Sequence, residues 1–510
     1  MLLPIAGGAG RVGRRAAMLR LAGDGLANWQ IAFGVAAFAA VWLVEVTRLQ
    51  LSPPNDNIEQ LTWVRALEWG YYKHPPLPTW LLWLPVKVFG ISAWTTYLLG
   101  AACTLAAIGT LWHLLTALRG RRYANVALLA MLCISYYNGR IDYYNHEVVL
   151  MLLSATGAAA CWRAFNTGRL RWWIALGAAI GLGALAKYQI AVTVACIVAY
   201  AAGHGGWRDP RQRVGALTAV LVALAIFAPH LEWLRAHDFG PVHYAIDSSL
   251  GAELSWLGRI SGALHWLADQ AFNRALPALL LLTAAARSAR ASAAAGVHAA
   301  GAAQGAAEER RTRIFLQAWG WVPLIFMPAV AVLGGSALPL HWGTSFLFLA
   351  VPAAMELAPR RCWDGAPVHA VLKAFVIVQF LLLVLANLTS PRSPLVVQAR
   401  GWQGVDSVAM AQRLEAEVHA LSADPVRVIA GPADIAGALA LEMPQHPLVL
   451  IEGRYDRSPW VSPELVGRCG ELSLTLSDAA SVGVPLGSSD SGLRWRMVPP
   501  AAGARPCPLH

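Results

Sequence analysis

The chain has 510 residues, of which 57% are hydrophobic and only 14% charged, with a formal net charge of +11. That composition excludes an ordinary soluble enzyme, and repeated apolar runs of about 16 to 25 residues predict one large membrane-spanning helical bundle rather than several soluble domains. Nucleic acid is excluded as a partner as well, because the arginines are scattered at the ends of apolar runs, as topology signals are, and not gathered on one face.

Arg11, Arg14, Arg15 and Arg20 precede an apolar run that starts near Trp29, with no small-residue cleavage site between them. This predicts a signal anchor behind a basic cytoplasmic segment, residues 1–27. The first span, residues 28–48, then delivers residues 50–92 to the outer side of a bacterial cytoplasmic membrane. In that loop Asn57–Trp69 and Pro78–Val88 are expected to be short helices along the membrane interface. The second span, 93–118, returns to Arg119, Arg121 and Arg122. A third, 123–138, goes out to Arg140, Asp142 and Glu147, and a fourth, 148–163, comes back to Arg163, Arg169 and Arg171. Between Trp172 and Gly203 both ends are basic, so the number of crossings must be even. Two short spans turning at Ala186-Lys187-Tyr188-Gln189 satisfy this and place Lys187 on the outer side.

A span at 214–231 opens a second outer loop, read as loop and interfacial helices to about Asn273. The span at 275–288 leads into an Ala/Gly-rich stretch, residues 291–313, expected to be a disordered cytoplasmic linker. Spans at 314–333, 339–357 and 367–388 bring the total to eleven and leave the C-terminal part outside. The fold class is therefore mainly α: a transmembrane bundle over 28–391, followed by a small extracytoplasmic α/β domain over 392–510. In that domain Asp406–Leu421 and Pro432–Glu442 read as helices, and Val426–Ala430 and Leu448–Ile451 as strands of a parallel sheet. No glycine-rich phosphate loop follows either strand, which argues against a nucleotide. Cys103, Cys133, Cys161 and Cys196 lie in apolar runs as small buried hydrophobes; whether Cys469 and Cys507 pair depends on that domain lying outside the cytoplasm.

Chemistry-bearing residues concentrate at outer span ends. The first loop alone holds Asp56, Glu59, Lys73 and His74, the last two just before Pro75, Pro76 and Pro78, which stiffen the chain. Asp142, His146, Glu147, Lys187, His230, His237, His243 and His341 sit at the same side, whereas inner loops carry mostly arginine. A carboxylate there can take a proton from an acceptor hydroxyl, and a Lys–His pair can neutralise a phosphate. Asp56 reads equally as a helix N-cap, a role compatible with catalysis. Tyr71, Tyr72, Trp69 and Trp80 suit stacking on a sugar or an interfacial aromatic belt.

The run WGYYKHPPLPTW, with an Asp ahead of it, resembles the first outer loop of polytopic glycosyltransferases related to protein mannosyltransferases and to the aminoarabinose and galacturonic acid transferases of lipopolysaccharide. Trp162-Arg163-Ala164, Gly183-Ala184-Leu185-Ala186-Lys187-Tyr188, the run PHLEWLRAHD and His341-Trp342 extend the likeness in order. The resemblance implies a polyprenyl-phosphate sugar as donor, transfer on the outer face with inversion, and a glycolipid, glycan or protein acceptor. It implies Asp56 as catalytic base, and His74, Lys73 and Lys187 near the donor phosphate. Tyr71, Tyr72, Glu147, Tyr188, His237 and His341 are expected to contact substrate. No cofactor is expected. Where the family often has Asp-Glu at the loop start this chain has Asp56-Asn57, which weakens a metal-binding reading, and the family's acidic residue at the fourth span falls at His146-Glu147. The rival reading, a transporter or flippase of lipid-linked saccharides, requires charges along a through-path and repeated halves. Neither is evident, and a scaffold that merely displays the C-terminal domain would leave Asp56, His74 and Lys187 dispensable.

Overall fold

A computed structural model describes residues 27–205, 209–250, 254–294, 305–396, 401–422, 424–476, 484–485 and 492–508. The basic segment 1–26, and with it the anchor arginines, lies outside the described residues.

The chain opens with α1 (Asn28–Leu49), followed by two first-loop helices, α2 (Asn55–Trp63) and α3 (Leu77–Phe89). Then come α4 (Ala93–Arg119), α5 (Arg121–Leu132), α6 (His146–Thr167), α7 (Leu170–Ala186), α8 (Ala191–His204) and α9 (Pro210–Ala236). The short α10 (Gly240–Ala245) precedes α11 (Trp256–Ala268) and α12 (Leu276–Ala294). The bundle closes with α13 (Ala306–Gly334), α14 (Leu347–Met355), α15 (Arg361–Asp364) and α16 (Val368–Thr389). Six of these, α1, α4, α6, α9, α13 and α16, are long and apolar enough to cross a membrane. The chain is a multi-pass membrane protein.

Several predicted elements differ in extent. The expected span 123–138 is helical only to Leu132, and residues 133–145 form turns. The expected interfacial pieces before Asn273 and the span 275–288 instead form one continuous rod, in which α11 joins α12 through a π-helical turn at Asp269–Ala275. The expected linker 291–313 is narrower, since α12 runs to Ala294 and α13 starts at Ala306; residues 295–304 lie outside the described residues. The first-loop helix expected over 57–69 ends at Trp63 and is no surface element. Ile58, Leu61 and Val64 share one core with Leu77, Leu82, Tyr144, Val148, Ala438 and Leu441, so α2 is held between the bundle and the C-terminal unit. Its neighbour α3 does expose Leu81, Trp83, Leu84, Val88 and Phe89, as a helix lying at an interface would.

The C-terminal unit comprises α17 (Ser407–His419), β1 (Val428–Gly431), α18 (Ala433–Glu442), β2 (Leu448–Ile451), α19 (Pro463–Cys469), β3 (Glu471–Leu476), β4 (Val484–Pro485) and β5 (Leu493–Val498). The strand order is β2-β1-β3-β5-β4; β1 pairs in parallel with β2 and β3, while β5 runs antiparallel to both β3 and β4. The expected parallel β1–α18–β2 crossover is present, and Cys469 is bonded to Cys507. This unit grips the first loop. Trp402 Nε1 donates to the Pro53 carbonyl at 2.8 Å, the Ser407 amide to Ser52 Oγ at 3.0 Å, and Arg65 to the His446 carbonyl at 2.9 Å. Gly437 of α18 has no side chain because there is no room for one: a Cβ would lie 2.6 Å from Ile58 Cγ2 and 3.2 Å from Thr62 Oγ1.

At the far end of α4, about 40 Å from its start by helical rise, Arg119 is fully buried. Its guanidinium forks onto Glu356, with bonds of 2.9 and 2.6 Å, and pairs with Glu309 at 2.6 Å. Tyr123 donates to Glu356 and Arg360 to the Arg119 carbonyl, so the cluster ties α4, α5, α13 and α14 together.

Candidate active site

Asn57 fixes the location of the site. It is wholly buried; its amide nitrogen donates to Thr96 Oγ1 and to the Asp142 carbonyl, both at 2.8 Å, and its oxygen accepts from the Tyr144 amide at 3.0 Å. Both amide hydrogens and one lone pair of the oxygen are thereby used, riveting α2 to α4 and to the turns before α6. The preceding side chain, Asp56, is left half-exposed. It is not the N-cap, which is Pro54, but stands in the first turn of α2. Its Oδ2 accepts from Asn145 Nδ2 at 2.8 Å, while the oxygen of Asn145 caps α6 through the Val148 amide. One asparagine therefore starts a helix and aims the carboxylate. Arg140, stacked over Tyr143 with 3.8 Å between guanidinium carbon and ring centroid, interacts electrostatically with Asp56.

Groups from the rest of the first loop, α10, the start of α6, the α7–α8 turn and the segment before α14 come to the same end of the bundle. In the first loop, Lys73 pairs with Glu59 at 2.7 Å. Its ammonium lies 5.3 Å from the Tyr72 ring centroid and 5.5 Å from that of Tyr244 on α10. His74 lies against His146, with ring centroids 4.1 Å apart, and both rings pack near Trp63. Burial pushes the His74 imidazole well below the usual histidine range, and the nearby His146, Lys187, Lys73 and His341 add to that shift. His74 is consequently a neutral hydrogen-bonding group, not the cation expected from the sequence. Nε2 of His146 is buried without a hydrogen-bond partner. Glu147, at the start of α6, is paired with Lys187 from the α7–α8 turn and lies 3.6 Å from His341 Nε2. Lys187 also faces the Trp342 ring at 5.3 Å.

The structure therefore gathers Asp56, Lys73, His74, Tyr72, Glu147, Lys187 and His341. It does not gather the other three expected substrate contacts. Tyr71 is buried, stacked on Trp63 at 4.7 Å and donating to the Ala66 carbonyl, so it supports the loop from within. Tyr188 is tied to His230 at 2.9 Å; that fully buried histidine also bonds the Trp69 carbonyl and anchors the loop to α9. His237 is exposed at the end of α9, stacked on Trp233 with centroids 4.1 Å apart. Arg140, Asn145, His146 and Tyr244 are the site neighbours that sequence reasoning had not assigned. Asp142, buried between them, is pushed up to about 7 by desolvation. Among the described residues, no group of three His, Cys, Asp or Glu side chains could hold a metal ion.

Residues 73–233 match the family described as dolichyl-phosphate-mannose-protein mannosyltransferase. That stretch takes in Lys73, His74, Glu147 and Lys187, whereas Asp56 and His341 lie outside it. The lipopolysaccharide core galacturonosyltransferase RgtA of Rhizobium johnstonii is 26% identical over 415 residues, 78% of this chain and 77% of the relative. RgtB of the same organism is 29% identical over 221 residues, 42% of this chain and 44% of RgtB. The chain is similar to mannosyl- and galacturonosyltransferases. Its fold is that of ArnT from Cupriavidus metallidurans, whose crystal structure with undecaprenyl phosphate superposes with a TM-score of 0.58 at 17% identity, covering 88% of this chain and 93% of ArnT. The apo form of ArnT gives 0.50 over 88% and 92%. The likeness first read from the loop motifs thus extends to sequence and fold.

Proposed function

We propose that this protein transfers a sugar from a polyprenyl-phosphate donor to an acceptor on the outer face of a bacterial cytoplasmic membrane. The observation that carries the reading is the convergence of a half-exposed carboxylate, Asp56, with Lys73, His74, Lys187 and His341 from separate loops at one end of an apolar bundle. In this reading each of the eleven apolar segments crosses the membrane, residues 1–27 are cytoplasmic, and the unit over 392–510 is periplasmic. The similarity to RgtA, named for the lipopolysaccharide core, and to ArnT, solved with undecaprenyl phosphate, supports the same donor and envelope setting.

In the reaction, Asp56 takes the proton of an acceptor hydroxyl or amine as that atom attacks the anomeric carbon. The bond from that carbon to the phosphate oxygen breaks on the opposite face, inverting its configuration, and the electron pair leaves with the polyprenyl phosphate. Lys73 and Lys187 offset the charge of the phosphate, and His74 and His341 donate hydrogen bonds to it in a site of low dielectric. Lys73 and Lys187 are matched by Glu59 and Glu147, so the phosphate engages cations that the glutamates hold in place. Tyr72 and Glu147 border the sugar. A hexosyl or a pentosyl group fits this scheme, and a glycolipid, lipopolysaccharide or protein hydroxyl serves as acceptor chemistry. A flippase is the alternative, but among the described residues the buried ion pairs named above gather at the two ends of the bundle. Transfer of radiolabelled sugar from a polyprenyl-phosphate donor in proteoliposomes tests the proposal; a well-folded Asp56→Asn protein with full transfer activity refutes the assignment of the base.

A further inference from the structure

The carboxyl ends of strands β1 and β2 both face the first loop. From β1 the chain enters α18, which presses Gly437 on α2. From β2 it enters the segment Glu452-Gly453-Arg454-Tyr455-Asp456-Arg457, whose Arg457 guanidinium lies 5.0 Å from the Tyr72 ring centroid. In open α/β sheets the space beyond the carboxyl ends of the strands is where ligands are bound. The segment is a hydrogen-bonded turn out of β2, in which the Glu452 amide donates to the Gly431 carbonyl at 2.8 Å, and two of its features have no role in the transfer chemistry described above. First, Glu452 adopts φ 52°, a left-handed conformation unusual for a residue other than glycine, and Gly453 follows at φ 69°. Such strain persists where the surroundings or a function impose it. Second, the turn displays a mixed set of polar groups. Arg454 and Asp456 form a two-pronged pair, with bonds of 2.6 and 3.1 Å, and their side chains are 52% and 62% exposed. Arg457 is paired with Glu452, and the Tyr455 ring is 38% exposed.

The charges in this turn cancel, two guanidinium groups against two carboxylates. Both guanidinium groups are matched within the turn, while the Arg454 and Asp456 side chains remain more than half exposed beside Tyr455. That combination, donors and acceptors in equal measure with an apolar ring face, suits a neutral polyhydroxyl ligand. The turn also lies close to the chemistry. Arg457 is 5.0 Å from the Tyr72 ring, Lys73 Nζ is 5.3 Å from the same ring, Lys73 pairs with Glu59 at 2.7 Å, and Glu59 is one helical turn from Asp56. Tyr244 stands edge-on to Tyr72 at 6.3 Å and closes the other side.

We infer that residues 452–457, together with Tyr72 and Tyr244, form an acceptor subsite that binds sugar residues next to the one receiving the transferred group. The inference rests on the transferase reading and narrows it: the acceptor is a glycan of several sugars, not an isolated protein hydroxyl. The test uses full-length protein in detergent and, as probe, the oligosaccharide released from the cell's own lipopolysaccharide by mild acid, titrated calorimetrically. An Arg454→Ala/Tyr455→Ala protein, altered only at exposed side chains, is expected to bind the oligosaccharide at least tenfold more weakly. In transfer assays its KM for the acceptor rises by a similar factor while its KM for the donor does not move. Oligosaccharide binding that ignores both substitutions, or a loss carried by the donor KM, overturns the subsite. The two readings fail separately. Transfer with an unaltered acceptor KM in the variant sinks the subsite alone; oligosaccharide binding that depends on the turn, in a protein that transfers no sugar, sinks the transferase reading alone.

Discussion

Both ends of the bundle hold clusters of charge, and they are built differently. At one end Arg119 is fully buried and paired with Glu356 and Glu309, and Tyr123 donates to Glu356, all of these groups on helices or at a helix end. At the other, Asp56, Lys73, Lys187 and His341 are each partly exposed, come from loops or helix ends, and lie beside a buried imidazole nitrogen that has no partner. A saturated cluster has nothing left to offer a ligand and can only hold helices together. An unsaturated one is unfavourable to keep unless a substrate completes it. The contrast predicts that substitutions at the first end change stability, and those at the second change rate.

The largest expected effect is on rate. Asp56→Asn, nearly the same in shape and able to keep a hydrogen bond to Asn145, should lower turnover by about 10²- to 10⁴-fold, measured as product per folded molecule, with an unchanged thermal midpoint. The opposite pattern is expected for Arg119→Leu. Leaving Glu356 buried and unpaired should destabilise the fold by about 3–5 kcal/mol, seen as loss of folded protein in detergent, while the surviving fraction keeps its specific activity. If Arg119→Leu protein is stable yet inactive, the division between the two ends is wrong. Asn57→Ala lies between the two classes, because it breaks the rivet beneath Asp56. It should cost about 2–3 kcal/mol, as buried partners lose their bonds, and lower activity together with stability.

A smaller effect should appear with pH. His74 is held below its ordinary range when folded, so as the pH falls the unfolded chain takes up that proton first. The stability contribution is complete above about pH 6.5 and declines below it, by up to about 1.4 kcal/mol per pH unit. Thermal midpoints at pH 5 and 7 should diverge less for His74→Gln than for the unsubstituted protein. A polyprenyl phosphate bound beside the ring should oppose the decline by favouring its charged form.

How much of this could be read beforehand follows from how local each signal is. Asp56, Lys73 and His74 stand within one proline- and aromatic-rich loop, and Lys187 marks a turn between two short apolar runs, so spacing and charge sufficed to bring them forward. Arg140 and Asn145 did not stand out because helix periodicity carries no information past Leu132, where the chain leaves regular structure. The run PHLEWLRAHD made His237 attractive, yet α9 stays helical through Ala236 and leaves that ring on the outside. Asn57 looked like a mere departure from an Asp-Glu pair; its value lies in partners at residues 96, 142 and 144, which no local pattern exposes. Six of the segments expected as spans are helices long and apolar enough to cross a membrane, but burial of α2 was not foreseen, because the surface that covers it comes from α18, almost four hundred residues later in the chain.

The missing side chain at Gly437 has an outcome for how the protein is made. Ile58 leaves the ribosome well before the α18 backbone that seats it, so the helices between them are made before the first loop can settle. A polypeptide clipped ahead of residue 430 would leave α2 without the surface that Ala438 and Leu441 provide.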